Sequence, residues 1–398
     1  MVMPNCIQYA SIYLGALLTG GVLSGASAMF TEYELRRQFL DSECKIVVTD
    51  DSYLEKVLLT AKSCPLIKCV ICVPSSKSSN SITSGAVTWD EVVSTPITAI
   101  PKYSYRHFDE HIVSKLANHR WDYYEESLLL LLPFYHIYGF GLMNMVLLTG
   151  MTGVVFEKFD PILLLNNIQT HKPKMLMTVP PILLFLAKSP STKNFDLTSI
   201  EFVLTGAAPA GKDLCDEFLS KFKHVRFLAQ GNSDILAYGM TECGMVSHLP
   251  SLESKTNYVT VGKLISTFKQ KICVSGPTVM RGYLNRPQAT DETIDADGWL
   301  HTGDIGFIDE NGQTFIVDRL KELIKVKGLQ KNVAGCAGRT RRYLAVSQGN
   351  KRRGKKVSSY KHLTGGVAFV TEIPKSPSGK ILRRVLREQY KLCANSKL

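Results

Sequence analysis

Short apolar runs alternate with amphipathic stretches through most of the first 230 residues, and this alternation constrains the fold more than any other feature of the chain. "KIVVTD" (45–50) and "CVICV" (69–73) have the length and branched, apolar character of buried strands. "PILLLNNIQTHK" (161–172) follows as an amphipathic helix, then "PKMLMTVP" (173–180) as a strand and "PPILLFLAKSP" (180–190) as a second helix. "IEFVLTGAAP" (200–209) and "GKDLCDEFLSKF" (211–222) repeat the strand-then-helix order. Strands separated by helices predict a parallel or mixed sheet covered by helices, with ligands bound at the carboxyl ends of the strands.

Two apolar runs compete with that reading. Residues 7–30, "IQYASIYLGALLTGGVLSGASAMF", are long enough to cross a bilayer. Glycines at Gly15, Gly20, Gly21 and Gly25 instead favour a helix, a glycine turn and a buried strand. Residues 128–156 hold Pro133, His136 and Asn144 and read as a strand, a loop and a helix. Lys and Arg are sparse around both runs, so no stable membrane span is expected; a membrane protein built on 7–30 and 128–156 is the rival.

The net charge of +12 suggests an acidic partner until it is located. Between Leu323 and Thr371 stand 12 Lys or Arg residues and no Asp or Glu, so the rest of the chain is charge-balanced. The basic segment carries no nucleic-acid fold signature, and no nucleic-acid partner is expected. Of the ten cysteines, Cys69 and Cys72 form a C-x-x-C with no second pair at metal spacing. They lie in a strand-like run and read as buried thiols in a reducing compartment.

Further on, Asn311-Gly312 between two strand-like runs signals a hairpin, and "DRLKELIK" after it marks a domain boundary. Four clusters there and upstream carry chemistry. "TGAAPAG" puts Gly206, Ala207 and Ala208 after a strand, where small residues let a planar ring approach the backbone. "YGMTE" (238–242) joins an aromatic face, a hydroxyl and a carboxylate. "HTGD" sets Asp304 in a tight turn, where a carboxylate can chelate two neighbouring hydroxyls, and "VDRLKELIKVKG" adds Arg319, Lys321, Lys325 and Lys327. "IPKSPSGKILRR" (373–384) mounts Lys380 on a loop stiffened by Pro374 and Pro377.

Together with "GYLNRPQAT" and "DGWLHTGDIG", these stretches resemble the adenylate-forming acyl-CoA synthetase family, on its 4-coumarate–CoA ligase and luciferase-like branch. The likeness runs from about Asn5 to Arg387. It implies an α/β fold: a large N-terminal adenylation domain with helix-covered sheets (1–318), plus a small, incomplete C-terminal α+β domain (319–398) in which a basic, low-order segment (331–361) replaces part of the lid. It implies activation of a carboxylic acid, fatty or aryl, with ATP to an acyl-adenylate and then to an acyl-CoA. The implied cofactors are ATP/AMP, Mg2+ and coenzyme A. By the same resemblance Lys380 would offset the repulsion between acyl carboxylate and α-phosphate. His136 in "PFYHIYGF" would sit by the carboxylate, and Thr241 would donate to the α-phosphate. Gly206, Ala207 and Ala208 would line the adenine and acyl pocket, with Tyr238 and Gly239 at the base. Asp304 and Arg319 would hold the ribose, and Glu242 would help hold Mg2+. Lys321 would be the hinge, and Lys325, Lys327, Gly328 and Gln330 would serve nucleotide and CoA.

The chain departs from the family pattern in specific places. A Ser/Thr/Gly-rich phosphate loop is expected between "ITAIPKYS" and "RHFDEHI", yet Ser104 abuts Tyr105. The first segment of the large domain is also short, "NSDILA" is extra before Tyr238, and the stretch between Gly262 and Cys273 is contracted. Losing the loop forfeits several charge-assisted hydrogen bonds of about 1.5–3 kcal/mol each. The rival expectation is therefore a catalytically impaired relative that binds nucleotide or acyl-CoA. Finally, Ser396-Lys397-Leu398 is a peroxisomal tripeptide, which implies a peroxisomal import receptor as partner.

Overall fold

The computed structural model describes residues 1–75, 85–96, 123–206, 212–230, 238–244, 247–249, 263–264, 269–270, 273–319, 323–326 and 329–332. Helix α1 is Gln8–Leu18 and α2 is Glu32–Asp41. Strand β1, Ile46–Asp50, leads to α3, Leu54–Ala61, and then to β2, Cys69–Val73. Strand β3 (Val87–Thr88) runs directly into α4 (Trp89–Ser94). Thr31 and Thr88 each start a helix with a reciprocal capping box, closed by Glu34 and Glu91, which satisfies two orphan N–H groups at each start. Strands β1, β2 and β3 form a parallel sheet.

A second region follows the same plan. Its elements are β4 (Ser127–Leu130), α5 (Ile137–Thr149), β5 (Thr152–Val155), α6 (Pro161–His171), β6 (Met175–Thr178), α7 (Pro180–Lys188), β7 (Phe202–Thr205), α8 (Lys212–Lys221) and β8 (Phe227–Gln230). Strands β6, β7 and β8 are parallel neighbours, as are β4 and β5. All four residues of β6 are buried, as a strand covered on both faces requires. Helices α6 and α7 begin at proline, which has no N–H to leave unsatisfied; Asp160 also accepts from Leu163 N at 2.8 Å. The core gathers Leu128, Leu142, Leu164, Leu176, Leu183 and Phe218. The Lys221 ammonium donates to the carbonyls of Leu186, Ala187 and Ser189, closing the carboxyl end of α7.

The expected α/β architecture is what the described residues adopt. Residues 7–30 differ in one respect. They give α1 and a glycine turn, but in place of a strand there is a single bridge from Val2 to Ala26. No continuous ladder forms there, because glycine and serine supply little side-chain packing for one. The apolar run 128–156 breaks into β4, α5 and β5. No helix among the described residues is long and apolar enough to cross a membrane, which removes the rival built on these two runs. The C-x-x-C cysteines lie in β2, and no disulfide joins any cysteine among the described residues.

Beyond β8 the chain turns to short antiparallel pieces. Strands β9 (His248–Leu249) and β10 (Lys263–Leu264) pair, and β11 (Lys269–Gln270), β12 (Cys273–Ser275) and β13 (Leu300–His301) make a small sheet, with helix α9 (Pro287–Asp291) between the last two. The expected hairpin is β14 (Asp304–Ile308) and β15 (Thr314–Arg319), turning at Asn311 and Gly312 with Gly312 at φ 73°. A second hairpin pairs β16 (Leu323–Val326) with β17 (Leu329–Asn332), so strand pairing extends two residues into the basic segment.

Candidate active site

The loop carrying His136 is fixed from a distance in sequence. The buried Asn5 amide donates to the carbonyls of Leu132 (2.9 Å) and Leu130 (3.3 Å), and its oxygen accepts from Phe134 N (2.8 Å). The strand end is thereby bent into the turn that starts α5. His136 caps that helix, its Nδ1 accepting from Tyr138 N at 3.2 Å. Gly139 in the first turn has room for nothing larger, since a Cβ there would lie 2.3 Å from the Pro133 carbonyl oxygen. Tyr138 then crosses to the carboxyl end of β7. Its hydroxyl donates to the Leu204 carbonyl at 3.3 Å, and a Cβ on Gly206 would come within 2.9 Å of its ring. Burial raises the Tyr138 phenol well above its usual range, so it remains a neutral donor. His136 and Gly206 are thus joined through a residue that the sequence reading did not single out. Ala207 and Ala208 lie outside the described residues.

The second group is built on β9, β14 and β15. The Tyr238 carbonyl accepts from Ser247 N (2.8 Å) and His248 N (3.0 Å), and its ring meets His248 edge-on at 5.4 Å. Its hydroxyl donates to Asp304 Oδ2 at 2.6 Å. Tyr238 is 3% exposed and Asp304 5%. Burial first, then the Asp304 charge, pushes the Tyr238 phenol far up, so the bond is a neutral phenol on a carboxylate. Asp304 N donates to Thr302 Oγ1 at 3.3 Å. Asp304 and Arg319, the two residues expected at a ribose, are direct cross-strand partners in the β14–β15 register. A cavity of about 340 Å3 opens beside Asp304, lined among others by Tyr238, Cys273, Thr302 and Thr314.

After Tyr238 and the half-exposed Gly239, Thr241 and Glu242 begin a single helical turn, Thr241–Cys243. Thr241 is exposed and Glu242 partly so. The Glu242 carbonyl accepts from Met280 N at 2.8 Å, and its Oε1 accepts from the Tyr283 hydroxyl at 2.8 Å. Lys325 and Gln330 face each other across β16–β17. Lys321, Lys327, Gly328, Lys380, the Ser104–Tyr105 junction and Ser396–Leu398 lie outside the described residues.

The Glu242 carboxylate is of a kind that suits magnesium: it is a hard oxygen donor, and Mg2+ is ordinarily held by one or two carboxylates, with waters and substrate phosphates completing the shell. No group of three or more His, Cys, Asp or Glu that could hold a metal ion occurs among the described residues.

A family model for AMP-binding enzymes matches residues 98–284. The chain is 33% identical to 4-coumarate–CoA ligase 1 of Petroselinum crispum, over 97% of this chain and 83% of that protein. It is 31% identical to 4-coumarate–CoA ligase 1 of Arabidopsis thaliana, over 97% and 82%. The alignment with the parsley protein spans 463 positions, more than the 398 residues of this chain, so that relative has internal sequence that this chain lacks. In fold, the chain is similar to ATP-bound MatB from Rhodopseudomonas palustris (TM-score 0.77, 22% identity, covering 98% of this chain and 88% of that one). It is also similar to the anthranilate CoA ligase AuaEII in complex with anthranoyl-AMP (TM-score 0.78, 15% identity, covering 99% and 87%). By its relatives and its fold, the chain belongs to the adenylate-forming acyl-CoA synthetase family.

Proposed function

We propose that this chain activates a carboxylic acid with ATP and passes the acyl group to coenzyme A, with an aryl or fatty acid as substrate. In the first step a carboxylate oxygen attacks the α-phosphorus of ATP and pyrophosphate leaves. In the second the CoA thiolate attacks the acyl carbon and AMP leaves. The observation that carries the reading is the β14–β15 register, which sets Asp304 opposite Arg319 with the Tyr238 phenol on the Asp304 carboxylate. Asp304 and Arg319 would hold the ribose, Tyr238 and Gly239 the base beside Gly206, Ala207 and Ala208. Thr241 would reach the α-phosphate, His136 the acyl carboxylate, and Lys380 the charge that builds between them. Glu242 would hold Mg2+, which when bound neutralises the triphosphate. Lys321 would act as hinge, with Lys325, Lys327, Gly328 and Gln330 turning toward nucleotide and CoA. The names of the curated relatives support an aryl acid, and the Ser396-Lys397-Leu398 tripeptide supports import by a peroxisomal receptor and hence a fatty acid.

The test is acid-dependent release of pyrophosphate from ATP by the purified chain, across a panel of hydroxycinnamic and fatty acids, followed by thioester formation on adding CoA. A second reading is binding without turnover. It is favoured by the direct Ser104–Tyr105 junction and by the internal sequence that the parsley protein has and this chain lacks. That reading expects thermal shifts with AMP or CoA and no pyrophosphate. Sequencing the native transcript across Ser104 and Tyr105 separates a working ligase read incompletely from a chain that truly lacks the loop.

A further inference from the structure

Glu242 is held by a dedicated arm of the chain. The arm begins at Met280, whose N–H donates to the Glu242 carbonyl at 2.8 Å. Three residues on, the Tyr283 hydroxyl donates to Glu242 Oε1 at 2.8 Å. Main chain and side chain of the same glutamate are therefore both fixed by one segment. The segment is itself anchored. Tyr283 N donates to Thr290 Oγ1 at 2.9 Å, and Arg286 N donates to the Tyr283 carbonyl at 3.1 Å. Immediately before Tyr283, Gly282 sits at φ 154°, where a Cβ would lie 2.7 Å from the Thr290 methyl. Only glycine lets the arm lie this close to α9, and that closeness aims the tyrosine.

A carboxylate with one oxygen tied to a hydroxyl presents the other oxygen in a fixed direction. That suits a small cation demanding near-octahedral geometry, which binds through single carboxylate oxygens. Partners of this kind outside the ligand shell commonly set metal affinity. We propose that Tyr283 is a positioning residue for Glu242, orienting its carboxylate to take Mg2+ with the ATP phosphates. The inference deepens the proposed function and rests on it.

The test uses the full chain stripped of metal, with Mg2+ titrated in the presence of ATP and followed by thermal shift. AMP without metal is the control ligand. Tyr283→Phe is expected to raise the Mg2+ concentration at half-response about tenfold while leaving the metal-free AMP response within about twofold. In a Glu242→Gln background the same change is expected to add nothing. Thr290→Val, which frees the Tyr283 backbone without touching its ring, is expected to act in the same direction more weakly, and it serves if Tyr283→Phe folds poorly. Equal effects on Mg2+ and AMP, no effect on either, or a further loss in the Glu242→Gln background each overturn the inference alone. A wild-type chain with no Mg2+-dependent response to ATP overturns the proposed function together with it.

Discussion

At the scale of single residues, two buried polar side chains do the organising, and each yields a measurable expectation. Asn5 satisfies two carbonyls and one N–H of a chain segment more than 120 residues away. Asn5→Ala strands the Phe134 N–H in the core, which costs about 1–3 kcal/mol for that group alone. Denaturant unfolding of the variant should show a loss at least that large. Tyr238 is the second. Tyr238→Phe keeps the ring and removes the donor to Asp304, a hydrogen bond to a charged acceptor worth about 1.5–3 kcal/mol. The variant should unfold at lower denaturant, and AMP should bind it more tightly if ribose hydroxyls compete with the phenol for Asp304. An unchanged midpoint would show that water replaces the phenol without loss. Asp304 stood out in the sequence through its HTGD motif, although it opens β14 rather than lying within a turn. Its bond to Tyr238 did not, because the two stand 66 residues apart and the contact is a tertiary one.

At the scale of elements, the carboxyl end of β1 holds an unusual charge. Asp50 is buried there, accepts from the backbone of Ser52 and Tyr53, and lies near Asp51 and Glu157. Burial, and then the Asp51 charge, lifts its carboxyl to about 6. Because the folded value lies above that of the unfolded chain, near 4, the folded state is the better proton acceptor. Its stabilising effect is fully present only below about pH 4 and is lost as the pH rises through 6. Asp50→Asn should flatten the pH dependence of stability between pH 4 and 7 and raise stability at pH 7, by on the order of 2 kcal/mol. Thermal unfolding at several pH values decides it. The start of α5 gives the opposite kind of prediction. A methyl group at Gly139 meets carbonyl oxygens of Leu132 and Pro133, so Gly139→Ala should cost on the order of 3 kcal/mol or more and displace His136. Strand and helix placement was legible here because short apolar runs and amphipathic stretches differ in length and period. The missing strand in 7–30 was not, since an apolar composition says nothing about whether a neighbouring strand offers a free edge.

At the scale of the molecule, segments distant in sequence meet through polar contacts at the surface. Arg286 pairs with Asp41, and the Asn285 amide donates to Glu43 at 2.8 Å, tying the end of α2 to the turn before α9. Both partners of the ion pair are more than half exposed, so water already satisfies them well. Arg286→Ala should cost less than about 1 kcal/mol, a small shift in the denaturant midpoint that added salt should shrink further. The order of motifs along the chain was enough to anticipate the family, because each motif fixes a short backbone path that chemistry demands. It could not reveal Tyr138, which belongs to a motif already noticed but acts by reaching another strand.

The β14–β15 hairpin has a practical use. Asp304 and Arg319 stand at its open end, while Asn311 and Gly312 form an exposed tip at the other. Strand pairing between them isolates the two ends, and exposed tips tolerate inserted peptide well. A fluorescent tag or epitope spliced between Asn311 and Gly312 would therefore report on this edge of the protein while leaving the paired residues in step.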